Sequence, residues 1–150
     1  MSINANSLTA KTSPGDNDNL LLFDNSTNNG TKIDYDALAD AVLGAARLGD
    51  IGKLFPDTDP AYEGADSLKL LQEVATLVRQ KGFEILDVDC TVAAQAPKLS
   101  PYRDEMRKNL ARALDVDVEQ VGVKATTTEG LGFIGRKEGV AAWAVALLSK

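Results

Sequence analysis

Residues 83–102 read FEILDVDCTVAAQAPKLSPY. Val88, Cys90 and Val92 alternate there with Asp87, Asp89 and Thr91. This is the period-two pattern of a strand with one face in a core and the other turned to water or to a partner. A strand is expected over 83–95. The pattern then breaks at Pro97 and Pro101, which bracket Lys98. Ser100 followed by Pro101 opens a helix with proline at its first position, and Met106, Leu110, Ala113 and Leu114 line its apolar side. Further along, Asp117 begins a short turn, and Val121–Thr126 is a second strand candidate. Residues 140–148 are apolar throughout, so periodicity chooses neither helix nor strand. Before residue 83, Leu70, Leu71, Val74, Leu77 and Val78 form the stripe of a helix that starts near Asp66 or Ser67 and ends at Gly82. An earlier helix, capped by Asp34, carries Leu38, Val42, Ala45 and Ala46 and stops at Gly49. Residues 50–64 form a loop. The mixture specifies an α+β fold of two layers about one core.

The composition changes near residue 32. Seven of the eight asparagines lie in the first 31 residues, which sets residues 1–33 apart as a polar N-terminal segment from a domain over 34–150. Within that segment Asn19–Phe23 is a short strand candidate. A turn at Asn28-Asn29-Gly30 would return it through Lys32-Ile33 as a hairpin over 19–33. The 150 residues suffice for one domain that folds without metals or disulfides. The net charge of −6 argues against a general nucleic-acid or anionic-membrane binder. Cys90 has no second cysteine to pair with and reads as a small buried apolar residue. No run approaches the length of a membrane span, and no secretory signal is expected. The chain contains no histidine. Ser-His-Asp triads, Cys-His dyads and imidazole-ligated metals are therefore excluded. Chemistry falls to carboxylates, hydroxyls, Lys, Arg or the one thiol.

Three loops concentrate such groups. GDIGKLFPDTDP (49–60) holds Asp50, Asp57 and Asp59 between two glycines and two prolines. These carboxylates either accept hydroxyls and hold a hard cation, or serve as turn and cap residues. AAQAPKLSPY (93–102) places Lys98 just before a helix start, suited to a phosphate or simply solvated. KATTTEGLGFIGRKEG (124–139) offers Thr126, Thr127 and Thr128 hydroxyls, Glu129 as a Mg²⁺ ligand, and Arg136 for bidentate contact with an anion. Its bland alternative is a threonine-rich strand end with a glycine turn. Together the loops suggest a polyanionic ligand, with Lys98, Lys124 and Arg136 as the available cations.

The stretches 36–60, GADS (64–67), VDCTVAAQAPKLSPY (88–102) and VKATTTEGLGFIGRKEGVA (123–141) resemble the signatures of 2-C-methyl-D-erythritol 2,4-cyclodiphosphate synthases, enzymes of non-mevalonate isoprenoid synthesis. The resemblance implies a two-layer α/β sandwich with a mixed sheet, three copies assembled around their sheets as a homotrimer, and active sites between subunits. It makes 140–148 a strand. The implied reaction is cyclisation of 4-diphosphocytidyl-2-C-methyl-D-erythritol 2-phosphate with release of CMP, a lyase chemistry. By matching position, Asp50, Ile51, Gly52, Phe55, Pro56, Asp57, Thr58 and Asp59 would hold the methylerythritol and ribose parts. Ala94, Gln95, Ala96, Pro97, Lys98, Leu99 and Ser100 would cradle cytosine and phosphates. Thr126, Thr127 and Thr128 would bind the diphosphate. Thr127 and Lys98 would be catalytic, Glu129 would hold Mg²⁺ or Mn²⁺, and Phe133 and Arg136 would make further contacts.

The same resemblance implies zinc, held by an Asp-x-His pair on a first strand and a histidine on the first helix. Residues 1–33 contain no such pair. Without a gap the helix histidine falls on Asp36. With four residues deleted, Asp34 and Asp36 instead match a Ser-Asp-x-Asp stretch ahead of that helix. Zinc is thus expected of the family while its ligands are missing. This leaves a second possibility, a catalytically impaired trimeric protein that binds cytidine nucleotides. The implied locations are the bacterial cytoplasm or the plastid stroma.

Overall fold

A computed structural model describes residues 32–62 and 64–150. The central strand β1, Glu84–Ala93, pairs in parallel with β2, Val121–Thr126, and antiparallel with β3, Ala141–Ser149, so the sheet order is β2-β1-β3. The sheet is mixed, and 140–148 is a strand. Three long helices cover one face: α1 (Lys32–Ala45) lies over β3, α4 (Arg103–Leu114) over β2, and α3 (Ser67–Gln80) between them. Two four-residue helices, α2 (Ile51–Leu54) and α5 (Gly132–Gly135), sit in the loops.

The long helices form where the apolar stripes place them. Asp66 caps α3 by accepting the Leu68 N–H at 2.9 Å. At its other end Gly82 takes φ 82°, a left-handed turn that glycine adopts without a Cβ penalty. The Gly82 and Phe83 N–H groups then satisfy the Arg79 and Val78 carbonyls. Leu71, Val74 and Val78 of α3 meet Leu38, Val42 and Leu43 of α1 and Leu110 and Leu114 of α4 in one core over Val88, Cys90 and Val92 of β1. The inner row of β3 is Ala142, Ala144, Ala146 and Leu148, small enough for α1 to approach the sheet closely. Arg79 bonds the Leu114 and Asp115 carbonyls, tying the ends of α3 and α4. Arg107 does the same between α4 and the start of β2, through the Val118 and Val121 carbonyls.

Several expectations are corrected. Helix α1 begins at Lys32, so Asp34 lies inside its first turn rather than ahead of it. Lys32 and Ile33 are helical rather than the return leg of a hairpin, and the Asn19–Phe23 leg lies outside the described residues. Helix α1 ends at Ala45, ahead of Gly49. Arg47 itself turns left-handed at φ 61°, and the Leu48 N–H reaches back to Leu43. Ser100-Pro101 opens a 3-10 turn over Ser100–Tyr102, and α4 starts at Arg103. The first strand is shorter than expected, and its register shifts between Ile85 and Asp87, leaving Leu86 exposed. Asp117 does open a short turn, with a capping box closed by Gln120.

The face of the sheet that no described element covers is apolar along β3, where Trp143, Val145 and Leu147 are 59%, 68% and 58% exposed. Along β1 and β2 it is polar, with Asp89 ion-paired to Lys124. Removing core volume is costly in such a packed layer. Leu38→Ala, at a fully buried position, is expected to lower the unfolding free energy by about 2–5 kcal/mol in a denaturant titration. The exposed Leu131→Ala should change it by less than about 0.5 kcal/mol.

Candidate functional site

Because β1 and β2 run parallel with Ala93 beside Thr126, their following loops leave the sheet at the same edge. The Ala94 N–H continues the pairing by donating to the Thr126 carbonyl at 3.0 Å. The loop after β1 then turns through Pro97, and buried Leu99 pins it to the core while Lys98 stays exposed. The result is a cleft of about 380 Å³ lined by Ala94, Gln95, Pro97, Lys98, Leu99, Ser100, Ala125, Thr126 and Thr127.

The third loop closes one side of this cleft. Thr127 Oγ1 donates to Glu129 Oε1 at 2.7 Å, so hydroxyl and carboxylate are held together. Glu129 has φ 53°, a left-handed backbone that a non-glycine residue keeps only when its surroundings hold it. Those surroundings are visible. The Leu131 N–H donates to the Thr128 carbonyl, Thr128 Oγ1 donates to the Leu131 carbonyl, and the Gly130 N–H donates to Gln95 Oε1 at 3.3 Å. The last bond links the second and third loops directly. Gly135 of α5 lies so close to Gly130 that a Cβ there would fall 2.1 Å from the Gly130 carbonyl carbon.

The first loop forms a separate cleft of about 230 Å³, lined by Asp36, Ile51, Phe55, Asp57, Tyr62, Gly64 and Leu70. Asp50 caps α2 by accepting the Lys53 N–H, and Asp59 accepts the Ala61 N–H. Both therefore do the turn chemistry that was the alternative for this loop. Asp40 anchors α2 by accepting the Ile51 N–H at 2.8 Å. Phe55 packs edge-to-face on Tyr62, with ring centroids 5.2 Å apart. Tyr62, Leu70 and Ala125 were not among the expected site residues: Leu70 reads only as part of the α3 stripe, Ala125 as a small residue within the third loop, and the packing brings all three to a cleft.

The structure thus brings Lys98, Thr126 and Thr127 to one cleft, with Glu129 bonded to Thr127, and places Asp36 and Asp57 at another. Asp50, Gly52, Pro56, Thr58, Asp59, Ala96, Thr128, Phe133 and Arg136 line neither, and Glu129 reaches the second only through its bond to Thr127. Of the three cations, Lys124 is paired with Asp89, and Arg136 is held bidentately by Glu138 at 2.8 and 2.9 Å. That hydrogen bond raises the Arg136 pKa and holds the Glu138 carboxyl below its usual range. The pair's contribution is present at neutral pH and lost as pH falls through the lowered Glu138 value. Both groups are exposed, so solvent screens it. Lys98 remains as the cation at the cleft.

A donor set can be tested against each implied metal. Glu129 is one exposed carboxylate that accepts from the Thr127 hydroxyl at the side of the Lys98 cleft. This suits Mg²⁺ or Mn²⁺, which take one or two carboxylates and complete their shell with phosphate oxygens and water. Zinc does not fit. The chain has no histidine, and Cys90 is buried in the core. Among the described residues no three His, Cys, Asp or Glu side chains gather.

Comparison with known proteins places the chain. Residues 32–149 match the YgbB family, and the chain belongs to it. The 2-C-methyl-D-erythritol 2,4-cyclodiphosphate synthase of Photorhabdus laumondii is 60% identical over 114 residues, 76% of this chain and 73% of that one. The bifunctional IspDF of Campylobacter jejuni superposes with a TM-score of 0.75 at 49% identity, covering 77% of this chain and 31% of that larger one. IspF of Plasmodium falciparum, solved in complex with CDP, does so with a TM-score of 0.68 at 37% identity, covering 77% and 69%.

The close approach at Gly130 gives the loop a test. Gly135→Ala is expected to cost about 1–3 kcal/mol by overpacking. Gly44→Ala in α1, where a Cβ meets nothing within 4 Å, should be neutral or stabilising by up to about 1 kcal/mol. Thermal or chemical denaturation reads both.

Proposed function

We propose that this chain performs the synthase reaction of its relatives: cyclisation of 4-diphosphocytidyl-2-C-methyl-D-erythritol 2-phosphate to 2-C-methyl-D-erythritol 2,4-cyclodiphosphate with release of CMP. The observation that carries this reading is the convergence of Lys98, Thr126, Thr127 and Glu129 on one sheet edge, in a chain 60% identical to such synthases. The reaction asks little proton chemistry of the protein. An oxygen of the substrate's 2-phosphate attacks the β-phosphorus, a P–O bond forms, and the bond to the α-phosphate oxygen breaks. CMP leaves with that oxygen. The nucleophile is already an anion, so a chain without histidine has no base to supply. What it must supply is position and charge neutralisation.

The residues divide that work. Ala94, Pro97 and Leu99 give the cleft an apolar floor for a base and ribose. The Lys98 ammonium faces the diphosphate. The hydroxyls of Thr126 and Thr127 donate to its oxygens. In this structure the Thr127 hydroxyl donates to Glu129. Glu129 is the residue that would hold Mg²⁺ or Mn²⁺, and with its carboxylate so engaged the Thr127 hydroxyl would be free to donate to phosphate. Mg²⁺ or Mn²⁺, when bound, neutralises charge on the phosphates.

Asp57 and the methylerythritol-facing loop sit in a different cleft from Lys98 within one chain. We therefore propose a homotrimer in which the uncovered sheet faces meet at Trp143, Val145 and Leu147 and a neighbour's first loop completes each site. A second reading, a trimeric cytidine-nucleotide binder without turnover, is favoured by the missing histidines alone. Incubation with the cytidylyl substrate and Mg²⁺ decides between them: CMP release above buffer supports the synthase, and its absence beside intact CDP binding supports the binder.

Lys98→Ala is expected to weaken CDP roughly ten- to hundredfold in a calorimetric titration, the loss of one charge-assisted contact. Glu129→Gln should abolish the extra affinity that Mg²⁺ gives. Val145→Asp puts a charge on the apolar sheet face, and light scattering should then find monomer in place of trimer.

A further inference from the structure

We propose that this chain takes no zinc, and that its nucleotide binding runs on oxygen ligands and a hard cation alone. The inference rests on the cytidine-nucleotide reading above, and three observations on this molecule carry it. First, a zinc site needs about four donors, usually with imidazole or thiolate among them. The chain has no imidazole, and its one thiol is 1% exposed beneath the helices. Reaching Cys90 would require lifting α3 or α4 from the sheet. Second, Asp36, on which a family histidine falls when the match is made without a gap, shares its cleft with Asp57 and with Ile51, Phe55, Tyr62 and Leu70. Two carboxylates in an otherwise largely apolar lining fall short of a tetrahedral set. Third, the lining of the Lys98 cleft shares no residue with that of the Asp36 cleft. The groups that hold a diphosphate are bonded to one another, Thr127 to Glu129 and Gln95 to Gly130, and none depends on a metal in the other cleft for its position.

A cleft lined by the Asp36 and Asp57 carboxylates in place of imidazole differs in which cations it tolerates rather than in whether the nucleotide pocket forms. Oxygen-only donors suit Mg²⁺ and Mn²⁺, which dehydrate incompletely and accept phosphate and water as the rest of their shell.

The test uses the full chain and two readouts that do not depend on turnover. The protein is incubated with excess zinc chloride, desalted, and its metal content measured by mass spectrometry. Less than about 0.1 zinc per chain is expected, since oxygen-only sites of two carboxylates hold the ion too weakly to survive desalting. CDP is then titrated in EDTA, in Mg²⁺ and in Zn²⁺, following the melting temperature. A CDP-induced rise is expected in EDTA, larger in Mg²⁺, with zinc adding nothing that Mg²⁺ does not, because a ligand that does not bind the native state does not stabilise it. One zinc per chain after desalting, or a CDP response that exists only with zinc, overturns the proposal and leaves the nucleotide reading standing. No CDP response under any condition overturns the nucleotide reading, and the metal content alone then decides the zinc question.

Discussion

The parallel pairing of β1 with β2 is the constraint from which the site follows. Parallel strands end at the same edge of a sheet, so the loops after Ala93 and Thr126 emerge side by side. Were the two strands antiparallel, Lys98 and Thr127 would sit at opposite ends of the sheet and no single cleft could hold both. The crossover this pairing demands is α4, and it is long enough to cover β2. Arg107 fixes it there through the Val118 and Val121 carbonyls. Packing and site geometry are therefore one problem in this fold. The core of Leu110, Leu114, Val88 and Val92 holds the strand ends in register, and the register sets the spacing between a lysine and two threonines.

Much of this was legible in the residues, for reasons that differ by element. The alternation over Val88–Val92 survives because one face of β1 is buried and the other carries Asp87, Asp89 and Thr91. Helix α3 was bounded correctly because Asp66 and Gly82 both do the jobs their chemistry favours. Strand β3 was illegible because its two faces are both apolar, Ala142, Ala144 and Ala146 inward and Trp143, Val145 and Leu147 outward. A strand that is apolar on both sides has no period to read. The stop of α1 was misplaced because Arg47 takes a left-handed turn that glycine would be expected to take.

The site divides in the same way. Lys98, Thr126, Thr127 and Glu129 announce themselves by residue type in a breaker-rich loop. Which cation serves the cleft depends on pairings at two ranges, one across the sheet and one within the third loop. Asp89 on β1 claims Lys124, and Glu138 claims Arg136. These two pairs narrow the three candidate cations to Lys98. The absent histidines act at a different level, since they alter the metal half of the family's site while leaving the strand-end loops intact.

The tryptophan on β3 is the chain's only one, and it sits on the uncovered face of the sheet beside Val145 and Leu147. Its indole therefore reports on that face and on nothing else in the molecule. In water it emits as a solvated ring. Beneath a second copy it would emit to the blue and resist quenching by iodide. The fold carries its own optical gauge of whether its outer sheet is covered, with no label required.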